Sequence, residues 1–215
     1  MPERHERFPN LMVFRHPLIQ DKLSRARDVD TPPLQFRKLL NEIAGLMTYE
    51  ACRGLRTRTE TVRTPITGME GTVLDEPITL VPILRAGIGM TEGILSVLPE
   101  ARVGHIGLYR DEESLEPVEY YAKFPPDVAE GLVLLIDPML ATGGSASAAL
   151  TQLRKRGCNR IRMICLVSAP EGVGRLHEDH PDIEIFSASL DERLDERGYI
   201  VPGLGDAGDR LFGTQ

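Results

Sequence analysis

The sequence predicts an α/β fold whose central parallel sheet is covered by helices on both faces. Continuous Ile/Val/Leu runs, rather than the alternation of a half-exposed strand, recur between helix-like segments. One of them, Val133-Leu134-Leu135-Ile136, ends at an acid and turns through a glycine pair into a helix. A chain of 215 residues with 41% hydrophobic content suits one domain of this class.

The elements follow in order. Thr31, Pro32 and Pro33 open a helix after an irregular N-terminal arm, with Thr31 as N-cap and Phe36, Leu39, Leu40, Ile43, Leu46 and Met47 on its apolar face. Residues 56–63 alternate threonines with charged side chains, as in an edge strand or hairpin arm. Strands are then expected at Ile78 to Leu84, Val103 to Tyr109, Leu132 to Ile136, Arg160 to Val167 and Ile183 to Ser187. The helices between them are Ile88 to Leu98, Ser145 to Arg156 and Glu171 to Glu178. The polar stretch from Arg110 to Gly131 reads as a mobile hairpin over the active site. Past Ser187, a glycine-rich tail carries Tyr199, Ile200, Val201, Leu204, Leu211 and Phe212, too many apolar groups to be left in solvent.

Ligands of open parallel sheets gather at the carboxyl ends of the strands. There stands Asp137-Pro138-Met139-Leu140-Ala141-Thr142-Gly143-Gly144-Ser145. Two glycines let backbone N–H groups close on an anion, Thr142 and Ser145 add hydroxyls, and the following helix brings its positive dipole end. By itself the loop reads equally as a tight turn capped by Thr142 or Ser145. On the phosphate reading, a carboxylate such as Asp137 is repulsive unless it accepts hydrogen bonds from a sugar, so a sugar phosphate is the expected ligand. The convergence of two arginines with the loop raises that reading. Arg85 before Ala86-Gly87 and Arg110 after another strand are cations at matching strand ends, and a guanidinium pair suits a diphosphate. No Walker motif is present. Gly203-Leu204-Gly205-Asp206-Ala207-Gly208 spells a dinucleotide fingerprint, but seven residues after it leave no room for a Rossmann unit. Those glycines instead suit backbone recognition of a small planar ligand.

A net charge of −7 argues against a nucleic-acid partner. The basic excess is confined to residues 1–63, with 12 basic and 8 acidic side chains, and reads as a solvated surface or, less simply, a contact for an anionic effector or another subunit. Cys52, Cys158 and Cys165 form no paired motif and are expected as reduced core or near-core thiols. His177 and His180 lack a third ligand and read as a polar helix end. The first ten residues are charged and no apolar run reaches about 18 residues, so a cytoplasmic protein without membrane contact is expected.

Pro82-Ile83-Leu84-Arg85-Ala86-Gly87, the loop from Asp137 to Ser145, and Gly198-Tyr199-Ile200-Val201-Pro202-Gly203-Leu204-Gly205-Asp206-Ala207-Gly208-Asp209-Arg210 together resemble the uracil phosphoribosyltransferases over nearly the whole chain. The tail is the most specific of the three. Phosphoribosyltransferases at large begin the loop with two acids, whereas Pro138 follows Asp137 here, as in the uracil enzymes. The resemblance implies a type I phosphoribosyltransferase-like fold with a small hood and an extended hairpin arm. It makes residues 1–215 one domain: arm and helix to about 70, core to about 188, and a uracil-binding segment from about 189.

The implied reaction transfers phosphoribose from 5-phosphoribosyl 1-diphosphate to N1 of uracil, giving UMP and diphosphate, with Mg2+ carried mainly by the donor's diphosphate. Carried over residue by residue, Arg85, Arg110, the loop from Asp137 to Ser145 and Asp206 bind the donor. Ile200, Gly205, Asp206 and Ala207 bind uracil, and Asp137, Asp206 and Arg85 are the catalytic set. A homo-oligomer, dimer or tetramer, is expected, and GTP is a candidate effector, with Arg25, Arg27, Arg37 and Lys38 as its basic side chains. The competing readings are a nucleotide-sensing RNA-binding regulator of the same fold and a phosphoribosyltransferase for another base.

Overall fold

The structure, a computed structural model, describes residues 1–110 and 117–214, the side chains of Arg110 and Pro117 excepted. Its strands are β1 (Glu3–Arg4), β2 (Leu11–Val13), β3 (Thr57–Arg63), β4 (Gly68–Leu74), β5 (Ile78–Leu84), β6 (Arg102–Val103), β7 (His105–Arg110), β8 (Pro117–Lys123), β9 (Leu132–Ile136), β10 (Met139–Leu140), β11 (Arg160–Ser168), β12 (Glu184–Leu190), β13 (Arg193–Leu194) and β14 (Ile200–Val201). Its helices are α1 (Pro17–Arg27), α2 (Pro33–Ala51), α3 (Ile88–Leu95), α4 (Gly144–Lys155), α5 (Pro170–Asp179) and α6 (Ala207–Phe212).

The main sheet runs β1-β2-β12-β11-β9-β5-β7-β8, with β10 beside β11 and β6 beside β5. β9 is buried at every position and β5 at all but its last, the pattern of strands covered on both faces. One core layer packs α1, α2, α3 and α6 under the sheet, through Phe36, Leu40, Ile43 and Met47 among others. The opposite layer packs α4 and α5 through Leu150, Leu153, Val173 and Leu176.

Several expectations are corrected. The sheet is mixed rather than parallel throughout, since β8 pairs antiparallel with β7 and β1 with β2. The strand expected from Val103 is split, because Gly104 interrupts it and donates its N–H to the Leu80 carbonyl at 2.9 Å. The N-terminal arm is not irregular. Residues 17–27 form α1 and bury Ile19, Leu23 and Ala26, spaced four and three apart on one face.

Pro32, not Thr31, is the α2 N-cap; the Thr31 hydroxyl donates to the Arg25 carbonyl at 2.6 Å and closes the preceding helix instead. Leu46 lies outside the α2 core face, 37% exposed. β3 and β4 form the expected hairpin arm, with every residue of β3 exposed. The β7–β8 hairpin extends the sheet edge, and its tip, residues 111–116, lies outside the described residues. Among the described residues no helix is long and apolar enough to cross a membrane.

Candidate active site

The phosphate-loop candidate leaves the carboxyl end of β9 and is fixed by its neighbours before α4 begins. Asp137 donates its N–H to the Ile164 carbonyl at 3.2 Å, and β10 pairs with the end of β11. α5 then seats against the loop so closely that a β-carbon on Gly172 would lie 2.4 Å from the Ala141 carbonyl oxygen. Gly143, at φ +78°, takes the left-handed turn that a side chain disfavours and serves as the α4 N-cap.

The N-cap itself offers no side chain; the Thr142 hydroxyl accepts the Gly144 N–H in a long 3.4 Å contact, and among the described residues the Ser145 hydroxyl makes no bond to the helix start. Both are exposed at the rim of a recess of about 90 Å³ lined by Asp137 and residues 139–146. The N–H groups of a first helical turn, two hydroxyls and a small recess make an anion cradle. Grooves of about 470 and 420 Å³ lie elsewhere; the larger sits by Pro77 and Ile78, at the amino end of β5 and far from the strand ends where such sheets bind ligands.

Asp137 stands at the mouth of this recess. Burial pushes its carboxyl up to about 7, partly offset by the Met139 N–H it accepts at 3.3 Å and reinforced by the nearby Asp206 carboxylate. That electrostatic coupling joins the loop to the tail. Asp206 caps α6 by accepting the Asp209 N–H at 2.9 Å.

The arginine loop after β5 meets both. Its first peptide bond, Leu84–Arg85, is cis. A β-carbon on Gly87 would lie 2.5 Å from the Ile136 carbonyl oxygen, so only glycine lets this turn press against the end of β9. Gly208 stands 4.0 Å, by the same measure, from both Ala86 and the Arg85 guanidinium. Arg85 is exposed, 3.6 Å from Asp209 and over the face of Phe212. Gly198 approaches the Thr142 methyl.

The tail is packed, as its apolar content requires: Ile200, Leu204, Ala207 and Leu211 are buried, although Tyr199 and Phe212 remain largely exposed. Gly205 is exposed at φ +75°, leaving bare backbone at the surface. The Ile200 carbonyl lies beneath Gly203, where a β-carbon would meet it at 2.1 Å. Arg85, the Asp137–Ser145 loop and the 198–208 segment are thus brought together. The side chain of Arg110 lies outside the described residues.

The thiols of Cys158 and Cys165 are buried and unpaired, and burial pushes Cys165 up to about 12. His180 ends α5 with its Nε2 3.2 Å from the Ser147 hydroxyl, tying α5 to α4 as a polar helix end. Sequence reasoning missed Asp209, the acid beside Arg85. It also missed Asp191, an acid directly after β12; the serines of Glu184–Leu190 hid the strand-then-acid signal that marked Asp137 after β9. Arg27 is largely covered beside Asp191, whereas Arg37 is exposed and donates to the Leu211 carbonyl at 2.9 Å.

The model of the uracil phosphoribosyltransferase family matches residues 13–214. The uracil phosphoribosyltransferase of Staphylococcus aureus strain Newman is 56% identical over 204 residues, 94% of this chain and 98% of that one. A solved Aquifex aeolicus protein, 41% identical, superposes with a TM-score of 0.91 over 95% of this chain and 99% of that one. The Trypanosoma brucei adenine phosphoribosyltransferase, 14% identical, shares the fold alone, at a TM-score of 0.60 over 94% of this chain and 90% of its own. Spanning nearly the entire sequence and including every loop of the cleft, the match establishes that this chain belongs to the uracil phosphoribosyltransferase family.

Proposed function

We propose that this chain forms UMP and diphosphate by moving phosphoribose from 5-phosphoribosyl 1-diphosphate to N1 of uracil. The supporting observation is the convergence of three loops distant in sequence: Gly208 of the tail lies against Arg85 and Ala86, and Asp206 is close enough to raise the Asp137 carboxyl. The 5′-phosphate would sit on the backbone amides of residues 141–145 while Asp137 accepts the ribose hydroxyls. Arg85 takes the diphosphate, joined by Arg110 at the end of a strand whose Gly107 pairs with Leu84. Uracil is read by the backbone of Ile200, Gly205 and Ala207, with Asp206 between base and donor.

Breaking the C1′–O bond leaves positive charge on the sugar and negative charge on the departing diphosphate. Positioning and electrostatic stabilisation of that leaving group therefore carry the catalysis. Mg2+ would be carried mainly by the donor as its diphosphate complex, with the Asp206 carboxylate facing its water shell. Uracil offers O2, N3–H and O4 along one edge; cytosine replaces acceptor with donor there. One mispaired buried polar group costs about 1–3 kcal/mol, roughly ten- to hundredfold in selectivity.

The exposed arm, with Val62, Ile66, Met69 and Leu74 turned to solvent, suits pairing with a second copy, because an isolated two-stranded hairpin is marginal in water. Product analysis with donor, Mg2+ and uracil, cytosine, orotate, hypoxanthine or adenine, with and without GTP, tests the reading. UMP from uracil alone is the expected result. Product from a purine instead, or no product together with salt-sensitive RNA binding, supports the rival functions. A rate unchanged by GTP removes the effector.

A further inference from the structure

Asp191 is a carboxylate with its side chain 2% exposed, and all its bonds are accounted for. Its Oδ1 accepts from Arg27 Nη2 at 2.6 Å and from the Ser189 hydroxyl at 2.7 Å. Its Oδ2 accepts from Arg27 Nη1 at 2.7 Å and from the Gly203 N–H at 2.9 Å. Arg27 Nη1 donates again, to the Gly203 carbonyl at 2.5 Å. Gly203 is thus held at both its N–H and its C=O by one ion pair.

The pair has firm footings. Asp191 follows β12 and donates its N–H to the Ser168 carbonyl at the end of β11 at 2.8 Å, while Arg27 ends α1. Burial alone would push the Asp191 carboxyl up; the Arg27 guanidinium, the Ser189 hydroxyl and the Gly203 N–H outweigh it and hold it below the ordinary value. A fork-on-carboxylate contact of this kind fixes direction as well as distance. Gly203 in turn lies on the Ile200 carbonyl and precedes Gly205. Neither Arg27 nor Asp191 belongs to the loops proposed to touch substrate.

We propose that Arg27 and Asp191 are positioning residues that hold the Gly203 peptide, and through it the backbone from Ile200 to Ala207, in the register that reads uracil. This rests on the function proposed above. The clamp acts on the base more than on the donor: the donor's phosphate loop hangs on β9, β10 and α4, and the held segment reaches the donor through Asp206 alone. Loosening it by an ångström misaligns backbone groups that must meet the pyrimidine edge within hydrogen-bonding distance.

Steady-state kinetics of the full-length chain, varying each substrate in turn, tests the proposal. UMP formation by the unaltered protein comes first; its absence overturns the function and not the clamp as such. In an active protein, Asp191→Asn and Arg27→Met are expected to raise KM for uracil about tenfold or more. KM for the donor, which meets the held segment at Asp206 alone, should rise several-fold less than KM for uracil, the signature of a loss centred on base binding. Arg27→Lys, which keeps the charge but cannot span both carboxylate oxygens and the Gly203 carbonyl, should recover part of the loss. Where a buried lone charge prevents folding, Ser189→Ala removes a single bond to Asp191 and should still raise KM for uracil selectively. An unchanged KM for uracil in these variants, or equal losses for both substrates, overturns the clamp.

Discussion

At the residue scale Asp137 carries the most unusual chemistry. To accept a sugar hydroxyl it must be ionised, yet burial pushes it up to about 7. In free enzyme, kcat/KM for the donor is therefore expected to rise through that pH as the carboxylate forms. Asp206→Asn removes a like charge and should move this limb to lower pH; a limb that stays in position rules out the coupling. The sign for stability is opposite to that of a salt-bridged acid. The folded state holds the proton more tightly than the unfolded chain, so stability falls as pH rises from about 4, the unfolded carboxyl value, through about 7. Asp137→Asn should abolish activity yet melt higher than the parent above pH 7, the difference closing towards acid. Asp137 and its loop were legible because strand, acid, glycines and helix lie within one short stretch. Thr31 was misread because a proline pair after a threonine marks a helix start without saying which residue caps it.

At the element scale, glycine sets how closely neighbouring segments approach. α2 and α3 touch where a β-carbon on Gly93 would lie 1.9 Å from the Asn41 carbonyl oxygen, and Asn41 also accepts the Gly93 N–H at 2.7 Å. Gly93→Ala is expected to destabilise the fold by about 1–3 kcal/mol in denaturant melts, with substrate KM values kept. Gly143→Ala acts on function as well as on the fold, since its β-carbon would lie 2.9 Å from the Gly172 carbonyl oxygen. Holding a side chain in the left-handed region costs about 1–2 kcal/mol, so KM for the donor should rise about tenfold with that for uracil little changed. If uracil is affected equally, the loop does not serve the donor alone. The buried strands were plain from their apolar runs. α1 was not, because its eleven residues bury just Ile19, Leu23 and Ala26, too short a stripe to outweigh its charges. The antiparallel strands at the two sheet edges follow from chain direction, which residue type does not encode.

At the scale of the whole molecule, the exposed hairpin arm points beyond one copy. Ile66 is 94% exposed at its tip and Met69 52%. Sedimentation of the unaltered chain should show a dimer or larger species, and Ile66→Glu with Val62→Glu should shift it towards monomer. A parent that sediments as a monomer at every concentration excludes the pairing. The family was legible from local motifs, whereas the Arg27–Asp191 clamp was not, since 164 residues separate its partners and no pattern in either neighbourhood announces the other.

That separation bears on biosynthesis. A chain emerging from the ribosome can assemble β5, β9 and α4 while the residues beyond α4 are still being made, but Arg27 waits for Asp191 and Gly203 to appear. Long-range contacts of this kind form late and slowly. A nascent chain would therefore acquire its donor cradle before its base reader, and could turn over nothing until Gly203 had emerged.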